Sequence, residues 1–124
     1  RTILSIDNNA DSMTFAGDIP EGAKVRFMKA NFDHLTFAAS AAAQNTITPE
    51  MTGSVFALLI SCIGRKLVLG SRIDEEVEAV QETLGKGALL AGFYSYGEIS
   101  PFNEGGNCQL HNQTMTITSF YEHA

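Results

Sequence analysis

One apolar run near the middle of the chain constrains the fold more than any other feature. Residues 54–61 read SVFALLIS, in which six consecutive apolar residues leave no polar face for solvent. A strand that is apolar on both faces belongs in the interior of a sheet, covered on each side. The run is far shorter than the roughly 20 residues that a membrane-spanning helix needs. It therefore predicts the central, buried strand of a sheet.

Two segments with helical periodicity flank this strand in sequence. Residues 31–44 start at Asn31, a favourable N-cap, and repeat their apolar side chains every three or four positions. Residues 74–84 carry a comparable apolar stripe and a negatively charged first turn, and Gly85 supplies a C-terminal stop. Both segments are predicted to be helices that pack on the sheet.

The remaining β-favouring runs predict strands at residues 2–7, 12–16, 24–28, 89–94, 97–100 and 114–121. This order predicts a single α/β (α+β) domain over residues 1–124, with a mixed, largely antiparallel β-sheet and two main helices packed on it. We expect residues 114–121 to pair antiparallel with the strands of residues 89–99, because a ten-residue connection does not easily build a parallel crossover.

Charge and cysteine content exclude several classes of protein. The net charge is −6 and the basic residues are scattered, the densest group being Lys24, Arg26 and Lys29, so no basic face for nucleic acid is predicted. The two cysteines have no metal-site spacing and indicate free thiols in a reducing compartment. With no export signal and no membrane span, a cytoplasmic location is expected. The chain begins at Arg1, directly before a strand, and is expected to be a fragment of a longer protein.

Two polar segments near the C-terminus indicate a binding site. The first carries Tyr94, Tyr96 and Glu98, and the second carries His111 and Asn112. On one strand, Tyr94, Tyr96 and Glu98 would share a face, where aromatic walls and a carboxylate suit an ammonium group. If the two segments pair across the loop between them, an imidazole and an amide join the same cluster. Such a cluster is typical of a small-ligand pocket, although a wet surface strand is the alternative interpretation.

Arg65 follows the predicted central strand and extends the same hypothesis. Gly64 would let the backbone turn sharply, and Arg65 would then hold a ligand carboxylate through two parallel hydrogen bonds. An arginine on an exposed loop in front of a buried Cys62 explains the same residues equally well.

Cys62 and His111 also permit an enzymatic hypothesis. Cys62 as nucleophile, His111 as base and Glu98 or Asn112 as orienting group have the residue types of a thiol hydrolase. Cys62 has apolar neighbours and no predicted helix start near it that would lower its pKa, which disfavours this interpretation. A metal site is disfavoured too, because the chain has no short-range ligand pair.

Several of these motifs together resemble the C-terminal part of the FIST domain, named after F-box and intracellular signal transduction proteins. The resemblance spans residues 19–122 and rests on residues 61–65 (SCIGR), Leu69-Gly70, residues 92–99 (GFYSYGEI) and residues 110–115 (LHNQTM). It implies a sensory module of bacterial signalling proteins, joined to an N-terminal FIST part and coupled to a downstream signalling domain or protein.

The resemblance also implies a ligand class. Small ligands, amino acids in particular, are the expected signals of a non-enzymatic domain. We expect Arg65 to bind the ligand carboxylate and Glu98 its amino group, with Tyr94 or Tyr96 as a wall and His111 and Asn112 completing the hydrogen bonds. No cofactor is required for this function. A branch associated with haem and nitric oxide leaves a haem-based sensor as the alternative, with His111 as the most plausible axial ligand.

Overall fold

The computed structural model of the chain describes residues 1–101 and 105–122. In chain order its elements are β1 (Ile3–Asp7), β2 (Ser12–Phe15), α1 (Phe32–Gln44), β3 (Val55–Cys62), α2 (Ile63–Leu69), a 3-10 turn (Gly70–Arg72), α3 (Ile73–Leu84), β4 (Leu89–Ser95), β5 (Glu98–Pro101), β6 (Cys108–His111) and β7 (Met115–Tyr121).

A three-stranded mixed sheet forms the centre of the fold, in the order β4-β3-β7. β3 pairs parallel with β4 and antiparallel with β7, so that Leu59 lies opposite both Gly92 and Ile117. The parallel pair needs a crossover, which α2 and α3 provide. The prediction that the apolar run is an interior strand of a sheet is confirmed, and so is the α+β class. The expected cover on both faces is not found, since the helices lie on one face and Phe56 on the other is 38% exposed.

Both predicted helices are present and pack together on one face of this sheet. Asn31 caps α1 as expected, since its Oδ1 accepts a hydrogen bond of 2.7 Å from the backbone N–H of His34. The buried core between the helices and the sheet consists of Ala39, Ala43, Ala57, Leu59 and Val80. Alanines on α1 let the helix axis approach the sheet closely, as expected for a small-residue face.

Two antiparallel hairpins stand beside the central sheet. β1 pairs with β2, and β5 pairs with β6 with Glu98 opposite His111. Arg1 and Thr2 tie the first hairpin to the second, because the Arg1 guanidinium donates to the Leu110 carbonyl and the Thr2 N–H donates to Asn112 Oδ1. With the central sheet and the two hairpins, the described strands form three sheets instead of one.

Three sequence predictions about the fold are wrong. Residues 24–28 form no strand, because no described segment pairs with them. β7 pairs with β3 and not with the strands of residues 89–99, because β4 takes only one edge of β3 and leaves the other edge open. The segment after Cys62, expected to be a loop, is helix α2. Gly64 lies inside it and serves close packing instead of a sharp turn, since a Cβ there would approach Gln113 Cγ to 3.0 Å.

The face of the central sheet opposite α1 and α3, here called the outer face, carries exposed apolar side chains. Side chains alternate along a strand, so the neighbours of core residues such as Ala57 point to this side. Phe56 and Phe120 lie in contact there, with ring centroids 5.8 Å apart, and are 38% and 52% exposed. Leu89 and Phe93 on β4 are 71% and 58% exposed. Large exposed apolar patches on sheets commonly mark contact surfaces.

Candidate functional site

A buried polar network connects the central sheet to the helices. The carboxylate of Glu76 accepts hydrogen bonds from Arg65 Nε (2.8 Å), Ser61 Oγ (3.2 Å) and Tyr94 Oη (3.0 Å). Arg65 Nη2 also donates to the backbone carbonyl of Leu35 in α1, at 2.8 Å. Arg65 and Glu76 are each 1% exposed. Burying both charges is tolerable because they are paired and their remaining hydrogen-bonding groups are engaged.

The secondary structure determines this geometry. Ser61 and Tyr94 are side by side in the β3–β4 register and therefore point to the same face, toward the helices. Arg65 lies in α2, directly after β3, and Glu76 lies in the first turn of α3. The network thus joins the C-terminal ends of two parallel strands to both helices of the crossover, which is where open α/β sheets commonly place ligands.

Tyr94 has a raised pKa in this network. Burial, together with the negative charge of Glu76 and the hydrogen bond to it, raises the pKa of Tyr94 to about 12. The ammonium nitrogen of Lys66 lies 5.1 Å from the centroid of the same ring, a cation–π distance. Tyr94 therefore remains protonated, and donates to Glu76, throughout the physiological pH range.

A small cleft opens beside this network, between α3 and β4. Its volume is about 230 Å³. The polar groups of Ser61, Glu76 and Tyr94 lie at one part of its wall, and the rest is mainly apolar, with Val77, Leu90 and Met115 among the lining residues. A mostly apolar wall with a few convergent polar groups is the usual composition of a ligand site. The volume lies below the roughly 300–1,000 Å³ of pockets for drug-sized ligands, so this cleft suits a small molecule.

The other predicted site residues gather in a second cluster, at the β5–β6 hairpin. Glu98 is 3% exposed and accepts hydrogen bonds of 2.5 Å from Ser95 Oγ and from Thr114 Oγ1. His111, opposite Glu98 in the register, places Nε2 3.1 Å from the Ser100 carbonyl oxygen. A carbonyl oxygen only accepts, so this contact is a hydrogen bond in the tautomer that carries the ring proton on Nε2.

Asn112 and Tyr96 complete the second cluster. The Asn112 amide donates to the Tyr96 carbonyl at 3.4 Å, in addition to its contact with Thr2. The Tyr96 side chain is 90% exposed, because the chain bends at Tyr96-Gly97 between β4 and β5.

The expected convergence of Arg65 and Glu98 in one pocket is not found. Arg65 and Tyr94 meet at Glu76 on the helix side of the sheet. Glu98 bonds to Ser95, which follows Tyr94 on β4 and therefore points to the opposite face. The expectation that Tyr94 and Glu98 share one face of one strand is also wrong, since β4 ends at Ser95. The six predicted residues form two clusters on two sides of the sheet.

Glu76 and Ser61 were not among the predicted site residues, although Glu76 is the centre of the network. A sequence signal for Glu76 exists, because it lies three residues after Ile73 and four before Val80, on the apolar stripe of α3. A carboxylate at a core-facing helix position needs a buried partner. Arg65, eleven residues earlier, is that partner.

The position of Cys62 does not suit a catalytic nucleophile. It is 2% exposed and directly precedes α2, so the expectation that no helix begins near it is wrong. His111 Nε2 lies 3.1 Å from the Ser100 carbonyl oxygen, and Cys62 is buried, so the thiol is not open to a substrate as the hydrolase hypothesis requires. Over residues 1–101 and 105–122, no group of three or more His, Cys, Asp or Glu side chains is placed to hold a metal ion.

Comparison with known proteins identifies the family to which the chain belongs. The sequence matches the family model of the FIST C domain over residues 1–101. The chain therefore belongs to the FIST C domain family, a family of signal-transduction sensory domains. The match includes residues 61–65 and 92–99, and it excludes residues 110–115, which the sequence resemblance had included.

Comparisons with curated proteins and with solved structures gave no match. Among the described residues, no helix is both long and apolar enough to cross a membrane.

Proposed function

We propose that this chain is a non-enzymatic sensory domain of a cytoplasmic bacterial signalling protein and that it binds a small ligand, such as an amino acid. Family membership supports the sensory role. One observation carries the ligand proposal: Glu76 and Tyr94 line the cleft between α3 and β4, and Glu76 is paired with the buried Arg65.

In this proposal the cleft selects its ligand by size and charge. An apolar side chain packs against Val77 and Met115, and a ligand ammonium takes the place of the Tyr94 hydroxyl at Glu76 Oε1. Ring-face attraction from Tyr94 adds to the ion pair. Arg65 neutralises Glu76 in the empty state and becomes able to meet the ligand carboxylate when Glu76 turns to the ammonium. Because Arg65 also bonds to α1 at Leu35, such an exchange would be transmitted to that helix.

Tyr96, Glu98, His111 and Asn112 stay in the proposal as ligand-binding residues, in a separate polar site at the β5–β6 hairpin. The exposed ring of Tyr96 and the buried carboxylate of Glu98 support this role. The haem-based sensor gains no support from His111, whose Nε2 faces a carbonyl.

The ligand proposal is tested by titrating the twenty amino acids and small carboxylates into the chain, with calorimetry on every compound that raises the melting temperature. Tyr94→Phe removes the hydroxyl that the ligand ammonium has to displace from Glu76 Oε1, so it is expected to raise the affinity of a hit about tenfold, the usual value of a hydrogen bond to a charged group. Tyr121→Phe is the matched control, because its hydroxyl bonds to Thr48 away from the cleft. Glu98→Gln tests the hairpin site separately.

If no compound binds, or if Tyr94→Phe and Glu98→Gln both leave the affinity of every hit unchanged, the ligand proposal is wrong. A loss of affinity with Glu98→Gln alone would indicate that the ligand binds at the β5–β6 hairpin and not in the cleft.

We further propose that the outer face packs against a protein partner, namely the N-terminal FIST part that the sequence resemblance implies. Four large apolar side chains exposed on a single sheet face support a buried contact. The sensory role implies a downstream signalling domain or protein as well.

A further inference from the structure

A second and larger cleft lies between the β1–β2 hairpin, the irregular segment at residues 19–30 and the start of α1. Its volume is about 760 Å³, within the roughly 300–1,000 Å³ of typical ligand sites. Phe15, Val25 and Phe27 are among its apolar lining residues, and the last two are 59% and 66% exposed. The cleft therefore presents apolar surface that an apolar ligand body would bury favourably.

Positive charge surrounds this cleft, although the whole chain has a net charge of −6. Arg1, Arg26 and Lys29 line it, and no Asp or Glu is among its lining residues. The Arg1 guanidinium is held by the carbonyl oxygens of Asp18 and Leu110, which leave its charge in place. In the part of the chain that the structure describes, none of the three cations forms an ion pair with a carboxylate.

Apolar walls and unneutralised cations together define one class of occupant. We propose that this cleft binds an amphipathic organic anion, in which an apolar chain or ring carries a carboxylate. The apolar body lies against Phe15, Val25 and Phe27, and the carboxylate meets Arg26 and Lys29. A cation would be repelled, and a neutral molecule of the same shape would gain only the apolar contact.

This binding site is distinct from the cleft between α3 and β4. If the anion proposal proves wrong, the proposed function is therefore unaffected. The two are connected through hydrogen bonds, because Leu35 lines the larger cleft, its carbonyl accepts from Arg65, and Arg65 donates to Glu76 in the smaller cleft.

Three ten-carbon probes of equal apolar length test the proposal: decanoate, decanol and decylammonium. Each is titrated into the complete chain below its aggregation concentration, with calorimetry for affinity and amide chemical-shift mapping for location. Decanoate is expected to bind at least about tenfold more tightly than the other two, since hydrogen bonds to charged groups exceed neutral ones by about that factor. Its affinity should fall as salt is added. Shifts should concentrate at residues 1–3, 25–30 and 34–35.

The double variant with Arg26→Gln and Lys29→Gln should lower decanoate affinity about tenfold or more and leave decanol affinity unchanged. Both substitutions lie in an exposed segment, so folding should be preserved, as circular dichroism would verify. Lys86→Gln is the control for removal of an exposed positive charge outside the cleft.

Four results would overturn the proposal, and the first three concern affinity and location. They are equal affinities for the three probes, an unchanged decanoate affinity in the double variant, and shifts confined to the outer face around Phe56 and Phe120. An absence of binding by all three probes would overturn it too.

Discussion

Glu76 holds the buried network together, because three side chains from three different elements donate to its carboxylate. Its pairing with Arg65 compensates two charges that would otherwise be costly to bury. The network therefore stabilises the fold in addition to forming a candidate site. Substitutions of its different members should change the free energy of unfolding by different amounts.

The substitution Glu76→Gln is expected to lower the free energy of unfolding by about 3–5 kcal/mol, because it leaves Arg65 buried without a counter-charge. Urea denaturation measures the change. Glu75→Gln is the control: Glu75 pairs with Arg72 at 2.6 Å on the surface and should produce a much smaller change.

A chain with both Arg65→Met and Glu76→Leu separates charge from packing. Replacing a buried ion pair by apolar residues of similar size is often nearly neutral, so most of the stability lost in Glu76→Gln should return. If Glu76→Gln costs no more than Glu75→Gln, the uncompensated-charge explanation is wrong.

Tyr94 gives the network a pH dependence at alkaline pH. Its pKa is raised from 10.0 to about 12 in the folded chain, so between these values the unfolded tyrosine has lost its proton while the folded one keeps it. The contribution of Tyr94 to the free energy of unfolding is fully present below pH 10 and declines as the pH rises from 10 to 12. Denaturation midpoints measured across this range should fall, and Tyr94→Phe should reduce that fall. Tyr96→Phe, at a ring 90% exposed, should retain it.

The two cysteines differ in accessibility, which tests the hydrolase alternative. Cys108 is exposed and Cys62 is buried. Iodoacetamide at neutral pH should therefore label one cysteine in the native chain, at Cys108, and both after unfolding. Rapid labelling of Cys62 in the folded chain would indicate an accessible, activated thiolate and would support the enzymatic interpretation.

At the scale of elements, the parallel pair of β3 and β4 depends on Gly92. A Cβ at this position would come within 2.1 Å of the Leu59 carbonyl oxygen and 3.0 Å of Leu59 Cβ. Backbone cannot move aside as a flexible side chain can, so the absence of a side chain at Gly92 permits the close approach of the two strands.

Gly92→Ala is accordingly expected to destabilise the chain by about 1–3 kcal/mol, the usual cost of forcing atoms into a filled space. Gly87→Ala is the control, since nothing lies within 4 Å of a Cβ there and its φ is not in the left-handed region. That variant should be neutral or more stable by about 0.4–1 kcal/mol. Similar urea midpoints for both variants would contradict the close-approach argument.

At the scale of the whole molecule, the central sheet is covered by helices on one face and exposes apolar residues on the other. The three-stranded sheet thus presents a one-sided core, with Ala39, Ala43 and Val80 packed on its inner side. The outer face leaves Phe56, Leu89, Phe93 and Phe120 exposed, and it supports the proposal of a protein partner.

Co-expression of this chain with the N-terminal FIST part should yield a complex that depends on the outer face. The double variant with Phe56→Ser and Phe120→Ser is expected to weaken this association about tenfold or more, measured by analytical ultracentrifugation, because it removes two adjacent aromatic side chains. Phe37→Ser is the control, at an apolar side chain of α1 that is 74% exposed but lies away from the sheet. Equal effects of both variants would contradict the proposal.

The sequence by itself determined the elements that are encoded locally. The apolar run of β3, the N-cap of α1, the stripe of α3 and the mixed α+β class follow from periodicity and capping, which act within a few residues. The family was identified from short motifs of the same kind. Helix α2 was missed because glycine is normally unfavourable in a helix. In the folded chain Gln113 lies so close to Gly64 that a Cβ there would approach Gln113 Cγ to 3.0 Å, which explains why a glycine occupies this position.

Tertiary structure alone decided which polar residues meet. Tyr94 and Ser95 are neighbours in sequence, yet the alternation of side chains along β4 sends one to Glu76 and the other to Glu98. The partners of Arg65 come from α3 and α1, 11 and 30 residues away in sequence. Local patterns do not encode such contacts, because strand pairing and the crossover through α2 and α3 set them, and both depend on the packing of the whole chain.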